Sequence, residues 1–409
     1  MEGFKHLVMV TSVNNNKYYD MIPNDDGITF TAKWGRNGSD SFRSKKYSMS
    51  HFWEIYKQKI DKGYTDRTDL VKETVIKAVV EDGVKYKPIS DAAVAKIVEE
   101  LRRMAEKTIE TNYRIGVGEV TADMISEARR LIFLLGTQMN DLDLFNKTLL
   151  ELFEVVPRKM NKVNNYLADK RSDCPKIISR EHDLLDVMEG QVRTADVSAN
   201  AADVSDKTIL EAMGLEIRHV DEKEKKHIQK LLGGMSDKYE DAWRVKNLKT
   251  QERFDKERER LGKDKEVKEL FHGSRNENWW SITTGGLKIR IPKGIITNGK
   301  MFGFGSYFAL KAAKSAGYLS IRNSRWARGH DSFGYLGIFD VIYGDPLIID
   351  RDYDSYRGLS EMTWQKLQRH KKGADCLHAL KGKTGLREDE IVVYRDEQST
   401  IKYLVKVSA

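Results

Sequence analysis

Apolar positions follow three successive rhythms along the chain. In residues 1 to about 75 the rhythm is that of short strands. Segment 6–13 is rich in β-branched residues, 14–16 is an Asn-Asn-Asn turn signal, and 17–22 carries the paired Tyr18 and Tyr19. A second turn at 24–27 leads to a strand over 28–34, which runs into Trp34-Gly35-Arg36-Asn37-Gly38. Such runs, bounded by Asn, Asp and Gly, read as strands joined by tight turns. The apolar period then lengthens over 50–60, through Phe52, Trp53, Ile55 and Tyr56.

From 76 to about 200 the period is that of amphipathic helices. Ser90 and Asp91 cap a stripe of Val94, Ile97, Val98, Leu101 and Met104. Thr121 caps a second, with Ile125, Ala128, Ile132 and Leu135 on one face. A third starts near Asp141, carries Phe145, Leu149 and Leu152, and must end before Pro157. A fourth includes Leu184, Leu185 and Met188. Four such helices predict a bundle. It lacks the inward carboxylates and Glu-x-x-His of a di-metal site, and by composition alone a purely structural bundle is the better reading.

After Ser205 strands and helices mix. The pattern predicts a strand over 215–220, a helix over 222–232 and a strand over 243–254. The charge run 251–268 predicts a solvated hairpin or loop. A helix is expected near 278–283, then a loop over 290–300. Strands are expected at 335–343 and 347–349. Segments 390–394 and 401–407 read as a closing β-pair. Within this region 301–318 stands out. Phe302, Phe304, Ser306 and Phe308 alternate with Gly303, Gly305 and Tyr307, and 309–316 is small and helix-favouring up to Gly317. The run is either a core strand with a packing helix or the lip of a site for a flat aromatic ligand.

Composition narrows the class. A chain of 409 residues with 32% charged side chains suggests two to four soluble domains. The net charge of +8 permits contact with nucleic acid without requiring it. Cys174 and Cys376 are the two cysteines, which excludes a disulfide scaffold and a structural zinc site and points to a reducing compartment. No apolar run approaches the roughly 18 residues of a membrane span, and the N-terminus lacks signal-peptide form. No Gly-x-Gly-x-x-Gly with an acidic residue about 20 positions on supports a dinucleotide oxidoreductase.

Three short pieces carry polar groups that a strand core does not need. They are His272-Gly273-Ser274, Ser306-Tyr307-Phe308 with Lys314-Ser315-Ala316-Gly317-Tyr318, and Asp389-Glu390 ahead of Ile391 to Tyr394. Singly, each reads as a turn or a strand end. In this order they resemble the signature of the poly(ADP-ribose) polymerases, the H-Y-E ADP-ribosyltransferases. Tyr18-Tyr19 with Lys33-Trp34-Gly35-Arg36 resembles the WGR domain that accompanies the DNA-dependent members. By itself, Trp34-Gly35-Arg36 is equally readable as a core tryptophan and a bend.

The resemblance implies an α+β multidomain chain. A small β-rich WGR module would occupy 1–78 and an all-α helical regulatory domain 79–203. An antiparallel two-sheet catalytic domain would occupy 204–409. It implies His272, Tyr307 and Glu390 as catalytic residues. His272, Gly273, Ser274, Tyr307, Phe308, Ala309, Lys314, Ser315 and Tyr318 would bind NAD⁺, and Trp34, Gly35 and Arg36 would contact DNA or a neighbouring domain. In this picture Tyr318 stacks on nicotinamide, Gly273 and Ser315 hold its carboxamide, and Glu390 reaches the ribose hydroxyls. NAD⁺ is a co-substrate, with no permanent cofactor and no metal. Expected partners are DNA strand breaks, protein acceptors and the chain itself, with room for an accessory factor that sets the acceptor residue, and no membrane. Expected activity is break-stimulated polymer synthesis under helical autoinhibition. The alternatives are a mono-ADP-ribosyltransferase or a DNA-end scaffold with weak transfer. The location would be nuclear in a eukaryote, otherwise cytoplasmic or nucleoid. Two positions depart from the family pattern: Lys288, where an arginine often holds the adenosine side, and Lys300, where tyrosine is common.

Overall fold

A five-stranded antiparallel sheet begins the chain, built from β1 (Lys5–Val10), β2 (Asn16–Pro23), β3 (Thr29–Arg36), β4 (Phe42–Ser48) and, after α1 (Phe52–Asp61), β5 (Thr65–Asp66). The computed structural model describes residues 3–37, 39, 41–71, 86–113, 120–199, 206–289, 301–351, 358–382 and 384–409. The sheet order is β4-β3-β2-β1-β5. Its inner face buries Leu7, Tyr19, Met21, Phe30 and Ala32, and α1 lays Phe52 edge-on to Phe30 at 5.0 Å. The sequence pattern missed β4, because Phe42-Arg43-Ser44-Lys45-Lys46-Tyr47-Ser48 has no buried face. Its cationic side chains suit an edge strand, where charge discourages pairing with another chain.

The helices start where the polar caps lie. Asp91 Oδ1 accepts from the Ala93 and Val94 amides ahead of α2 (Ala92–Asn112). Thr121 and Asp141 cap α3 (Ala122–Thr137) and α4 (Leu142–Val155). The fourth stripe is α5 (Cys174–Ala199). In one compact unit, which contains the first sheet and residues 106–200, α3 packs on α4 and α5, and α4 packs on β1. Residues 85–105 of the chain, with most of α2, belong to the other unit. The expected boundaries 78/79 and 203/204, Gly38, and the loop 290–300 with Lys300 lie outside the described residues.

The second unit contains two sheets. The first is β6-β7-β14-β10-β8, antiparallel throughout, from β6 (Leu215–His219), β7 (Tyr239–Asn247), β8 (Val267–Gly273), β10 (Phe333–Ile342) and β14 (Ser399–Ser408). The second is β11-β12-β13-β9, from β9 (Ser306–Phe308), β11 (Pro346–Ile349), β12 (Cys376–Ala379) and β13 (Glu390–Val393). It departs from the all-antiparallel expectation at one pair: β11 and β12 run parallel. Besides most of α2, the described helices of this unit are α6 (Ile209–Met213), α7 (Glu222–Leu232), α8 (Leu248–Leu261), α9 (Trp279–Gly285), α10 (Ala312–Ala316) and α11 (Trp364–His370). Phe271, Leu336, Ile338, Tyr403 and Val405 join the core of the first sheet, and Phe302, Met362, Leu377 and Val392 that of the second.

Two expectations are corrected here. The strand expected over 243–254 ends at Asn247, and the charge run expected as a loop is mostly α8. Asn247 is an N-cap whose side chain accepts from the Thr250 amide, Lys256 pairs with Glu252 one turn apart along the helix, and Lys263, just past its end, pairs with Glu259. Phe254 and Glu257 are buried under it, where Glu257 meets Arg260 and Arg395. The closing β-pair does not form either: β13 pairs with β12 and β9, whereas β14 pairs with β7 and β10. Gln398 turns the chain from one sheet to the other by accepting from the Tyr394 and Arg395 amides.

Candidate active site

The two sheets of the second unit meet where β8 and β9 come side by side. Phe271 and Ala309 exchange a pair of backbone hydrogen bonds, each 2.9 Å. This bridge puts His272 and Gly273, at the end of one edge strand, against Tyr307 and Phe308 of the other. The His272 ring is half-buried among Trp279, Phe308 and Phe339. Its Nδ1 lies 3.0 Å from the carbonyl of Tyr307. A carbonyl only accepts, so Nδ1 carries the proton. Burial pushes the imidazole pKa down, so the ring is neutral and Nε2 keeps its lone pair for a hydroxyl donor.

Gly273 is a steric necessity. A Cβ there would lie 1.9 Å from the carbonyl oxygen of Ser315. Ser315 opens no such gap itself: its buried Oγ donates to the Phe271 carbonyl at 3.0 Å, which pins α10 to β8. Ser274 Oγ accepts from Asn278 Nδ2 at 2.9 Å, inside the turn that leads to α9. Phe308 and Ala309 are buried, so what they offer a ligand is backbone and wall.

Of the alternating run in 301–318, only Ser306–Phe308 is strand, and the helix starts at Ala312 rather than Ala309. The glycines explain the rest. Gly303, at φ +77°, brings the chain so close to Met362 that a Cβ would lie 2.2 Å from its amide nitrogen. The Tyr307 hydroxyl closes this turn, donating to the Gly303 carbonyl at 2.7 Å and accepting from the Phe302 amide at 3.1 Å.

Glu390 opens β13 in the register that sets Ile391 against Phe308 and Val392 against Tyr307. Its buried carboxylate pairs with Lys314 at 2.9 Å. Burial raises the Glu390 pKa and the Lys314 charge opposes that rise, with burial the larger effect. Lys314 Nζ also donates to the carbonyls of Glu388 and Asp389, at 3.1 and 3.3 Å. Tyr318 follows α10; burial raises its phenol pKa, and the Glu390 charge raises it further. One place therefore holds a neutral histidine, a glycine strand end, a buried serine, two tyrosines and a carboxylate with its lysine. This set can hold a planar amide and a polyhydroxylated ribose and set one negative charge beside a carbon that becomes positive.

Comparison with known families matches residues 216–409 to the Poly(ADP-ribose) polymerase catalytic domain and residues 5–71 to the WGR domain. The putative poly [ADP-ribose] polymerase-like 100L of Invertebrate iridescent virus 6 is 30% identical over 144 residues, 35% of this chain and 72% of that protein. The chain belongs to the poly(ADP-ribose) polymerase family. It is an NAD⁺ ADP-ribosyltransferase, with NAD⁺ as substrate. The uncharacterized protein 101L of the same virus is 29% identical over 197 residues, 47% of this chain and 79% of its own. Human poly [ADP-ribose] polymerase 2 is 53% identical over 49 residues, 12% of this chain and 8% of the human one. No helix among the described residues of this polymerase-family chain is long and apolar enough to cross a membrane.

In the WGR module Trp34 stacks on Tyr19 at 5.5 Å, and Gly35 admits the close approach of Ser41 and Tyr18. Arg36 binds Asn14, and its Nη2 donates to the carbonyls of Met160 and Asn161 at 3.2 and 2.8 Å. A cationic cavity of about 670 Å³ lies beside it, lined by Arg36, Arg158, Lys159, Lys162 and Arg180 among others. Sequence reasoning singled out none of the last four, because their charges are scattered over a loop and a helix start. Lys288, by contrast, is paired with Asp396 at 3.5 Å.

Proposed function

We propose that this chain is a DNA-break-stimulated poly(ADP-ribose) polymerase that modifies protein acceptors, itself included, and extends the chain. The observation that carries the reading is the buried Glu390 carboxylate, held by Lys314 one strand away from Tyr307, whose carbonyl holds His272. The bond to be broken joins the ribose anomeric carbon to a cationic pyridinium. Nicotinamide leaves neutral with the bonding electrons, so no general acid is needed, unlike ordinary glycoside cleavage. Positive charge grows on the ribose, and the fixed Glu390 carboxylate stabilises it at no cost of reorganisation. An acceptor oxygen then forms the new bond to the same carbon and gives up its proton to the Glu390 carboxylate.

The remaining roles are those that the family resemblance implies. Gly273 backbone and Ser315 Oγ hold the carboxamide, and Tyr307 and Tyr318 flank the ring. Ser274, Phe308 and Ala309 complete the wall, and His272 Nε2 accepts from the adenosine ribose. Holding the reacting carbon in register contributes through orientation alone. Glu390 orients the acceptor hydroxyl of a preceding unit as well, which makes chain extension the expected outcome. Residues 1–78 are assigned to break recognition through Trp34, Gly35 and Arg36. Residues 79–203 are assigned to autoinhibition and 204–409 to transfer. The Arg36 contacts with Met160 and Asn161 support a relay from the WGR module to the helical segment.

Incubation of the whole protein with labelled NAD⁺, with and without nicked or blunt DNA, tests this. The expected result is nicotinamide release that rises with DNA, and labelled protein in ladders. Release without any DNA response would remove the break-stimulated reading, and single-unit labelling would remove chain extension.

A further inference from the structure

Behind the strand that carries Glu390 stands a buried histidine that the roles above do not use. His378 lies in β12 among Cys376, Leu377 and Ala379, all fully buried, and is itself 8% exposed. A buried imidazole needs a partner for each ring nitrogen. The Tyr343 hydroxyl lies 2.8 Å from Nδ1, and Asp389 Oδ2 lies 3.1 Å from Nε2. The other Asp389 oxygen accepts from the Lys381 amide at 2.9 Å.

The protons have one consistent arrangement in a neutral ring. Burial works to raise the Asp389 pKa, but the Lys381 amide and His378 more than reverse it, so the group is a carboxylate and only accepts. Nε2 therefore carries the ring proton and donates to Asp389. Burial pushes the Tyr343 phenol up to about 12, so the hydroxyl keeps its proton and donates to Nδ1.

Both ends of this relay are anchored. Tyr343 directly follows β10 of the first sheet. Its amide donates to the Glu266 carbonyl at 2.9 Å, and its own carbonyl accepts from Cys376 Sγ at 3.2 Å. At the other end the register sets His378 opposite Ile391 and Ala379 opposite Glu390. Side chains alternate along a strand and cross-strand partners share a face, so His378 and Glu390 point to opposite faces of the second sheet. The relay grips the chain from behind the carboxylate. What passes through the sheet is the backbone: the Asp389 carbonyl accepts from Lys314 Nζ at 3.3 Å, beside the Glu388 carbonyl at 3.1 Å. Lys314 has a long side chain on a helix of five residues, and these two carbonyls fix its ammonium against Glu390. Lys314 is the cation paired with Glu390, and the Tyr318 and Tyr394 phenols feel the same carboxylate.

We propose that Tyr343, His378 and Asp389 are positioning residues for the transfer reaction. They lock the Asp389 peptide so that its carbonyl holds Lys314 on Glu390. This rests on the reading of Glu390 as the carboxylate that stabilises the ribose charge. The three residues act through Lys314 and not on the substrate. A triad that served stability alone would change the melting temperature and leave the behaviour of Glu390 as it is.

The test follows the Glu390 carboxyl by its ¹³C signal in the glutamate-labelled whole protein, assigned as the signal missing from E390Q. H378L removes both ring contacts, and D389A releases the peptide. D389A keeps the test open if H378L does not fold, since the Asp389 side chain is 24% exposed. In both variants the Glu390 titration should move upward, and the acid limb of kcat with it. Loss of the Asp389 charge by itself would move the titration down, so an upward shift in D389A reports the displaced Lys314. Displacement near the reacting carbon should lower kcat about ten- to a hundredfold. KM for NAD⁺ should stay within about twofold, because ground-state binding is untouched. In H378Q the amide nitrogen and oxygen replace Nε2 and Nδ1, and titration and kcat should return towards the parent. On a Lys314→Met background D389A should add little further loss, as expected of residues acting through one another. An unmoved Glu390 titration in folded D389A, or a kcat loss that adds in full on Lys314→Met, would overturn the proposal. If E390Q releases nicotinamide at the parental rate, the catalytic reading of Glu390 fails; the ¹³C titration still decides whether the relay positions Lys314.

Discussion

Lys314 Nζ lies 2.9 Å from Glu390 Oε1 while donating to the Glu388 and Asp389 carbonyls. One cation thus fixes both the direction and the charge of the carboxylate. Burial raises the Glu390 pKa, and Lys314 limits that rise. With Glu390 in its proposed role the reaction needs the carboxylate, so activity should fall as pH drops through the raised pKa. Lys314→Met removes the limit, and the acid limb of the kcat profile should move to higher pH. A limb that stays in place would show that Lys314 does not tune Glu390. For folding the sign is opposite: a carboxyl whose folded pKa is raised loses stability as pH rises from its unfolded towards its folded value.

His272 is fixed with its proton on Nδ1 by the Tyr307 carbonyl, leaving Nε2 as acceptor. His272→Ala should raise KM for NAD⁺ by about tenfold, one lost hydrogen bond to a neutral hydroxyl in a buried place. An effect on kcat alone, with KM unmoved, would place His272 outside substrate binding.

Gly273→Ala puts a methyl 1.9 Å from the Ser315 carbonyl, backbone that cannot swing aside. Overpacking of this kind costs about 1–3 kcal/mol or more. A lowered melting temperature and loss of nicotinamide release are expected together. A variant with parental melting and turnover would mean that the β8–α10 gap is wider than described.

Arg158 and Glu181 form an ion pair with both side chains 3% exposed. Breaking such a pair costs about 3–5 kcal/mol, because the remaining charge stays buried. Arg158→Met should fall at the lower end, since Arg180 remains 3.0 Å from Glu181. The double change R158M/E181L should recover most of the loss in urea unfolding. Additive losses in the double variant would contradict a buried, coupled pair.

Trp34→Ala and Arg36→Ala address the DNA response. Trp34 stacks on Tyr19, and Arg36 ties β3 to the Met160 and Asn161 carbonyls. The ratio of DNA-stimulated to unstimulated turnover should fall in both. A ratio equal to the parent's in both would remove break sensing from this module.

Local signals carried much of the fold. Thr121, Asp141 and the 222–232 segment mark their helices because caps and apolar spacing act within a few residues. The failures are non-local. β4 has no buried face to write an alternating pattern, and residues 248–254 were read as more of the strand although Asn247, its last residue, caps α8. The β13 and β14 sequences are both apolar, and apolarity does not say which sheet each joins. At the site, His272, Tyr307 and Glu390 were named through family resemblance, and the structure brings them to one place. The Phe271–Ala309 bridge that joins the two edges was not named, since backbone pairing at a distance leaves no residue signature.

We propose two roles for the Glu390 carboxylate: it stabilises the ribose charge and it orients the acceptor. The direct measurement is nicotinamide release and product length for Glu390→Gln, a change that keeps shape and removes charge. Release should fall by about 10²–10³, the scale of one preorganised electrostatic contact. Chain growth should be lost more completely than first attachment. Release at the parental rate would remove the first role from Glu390, and equal loss of attachment and growth would remove the second.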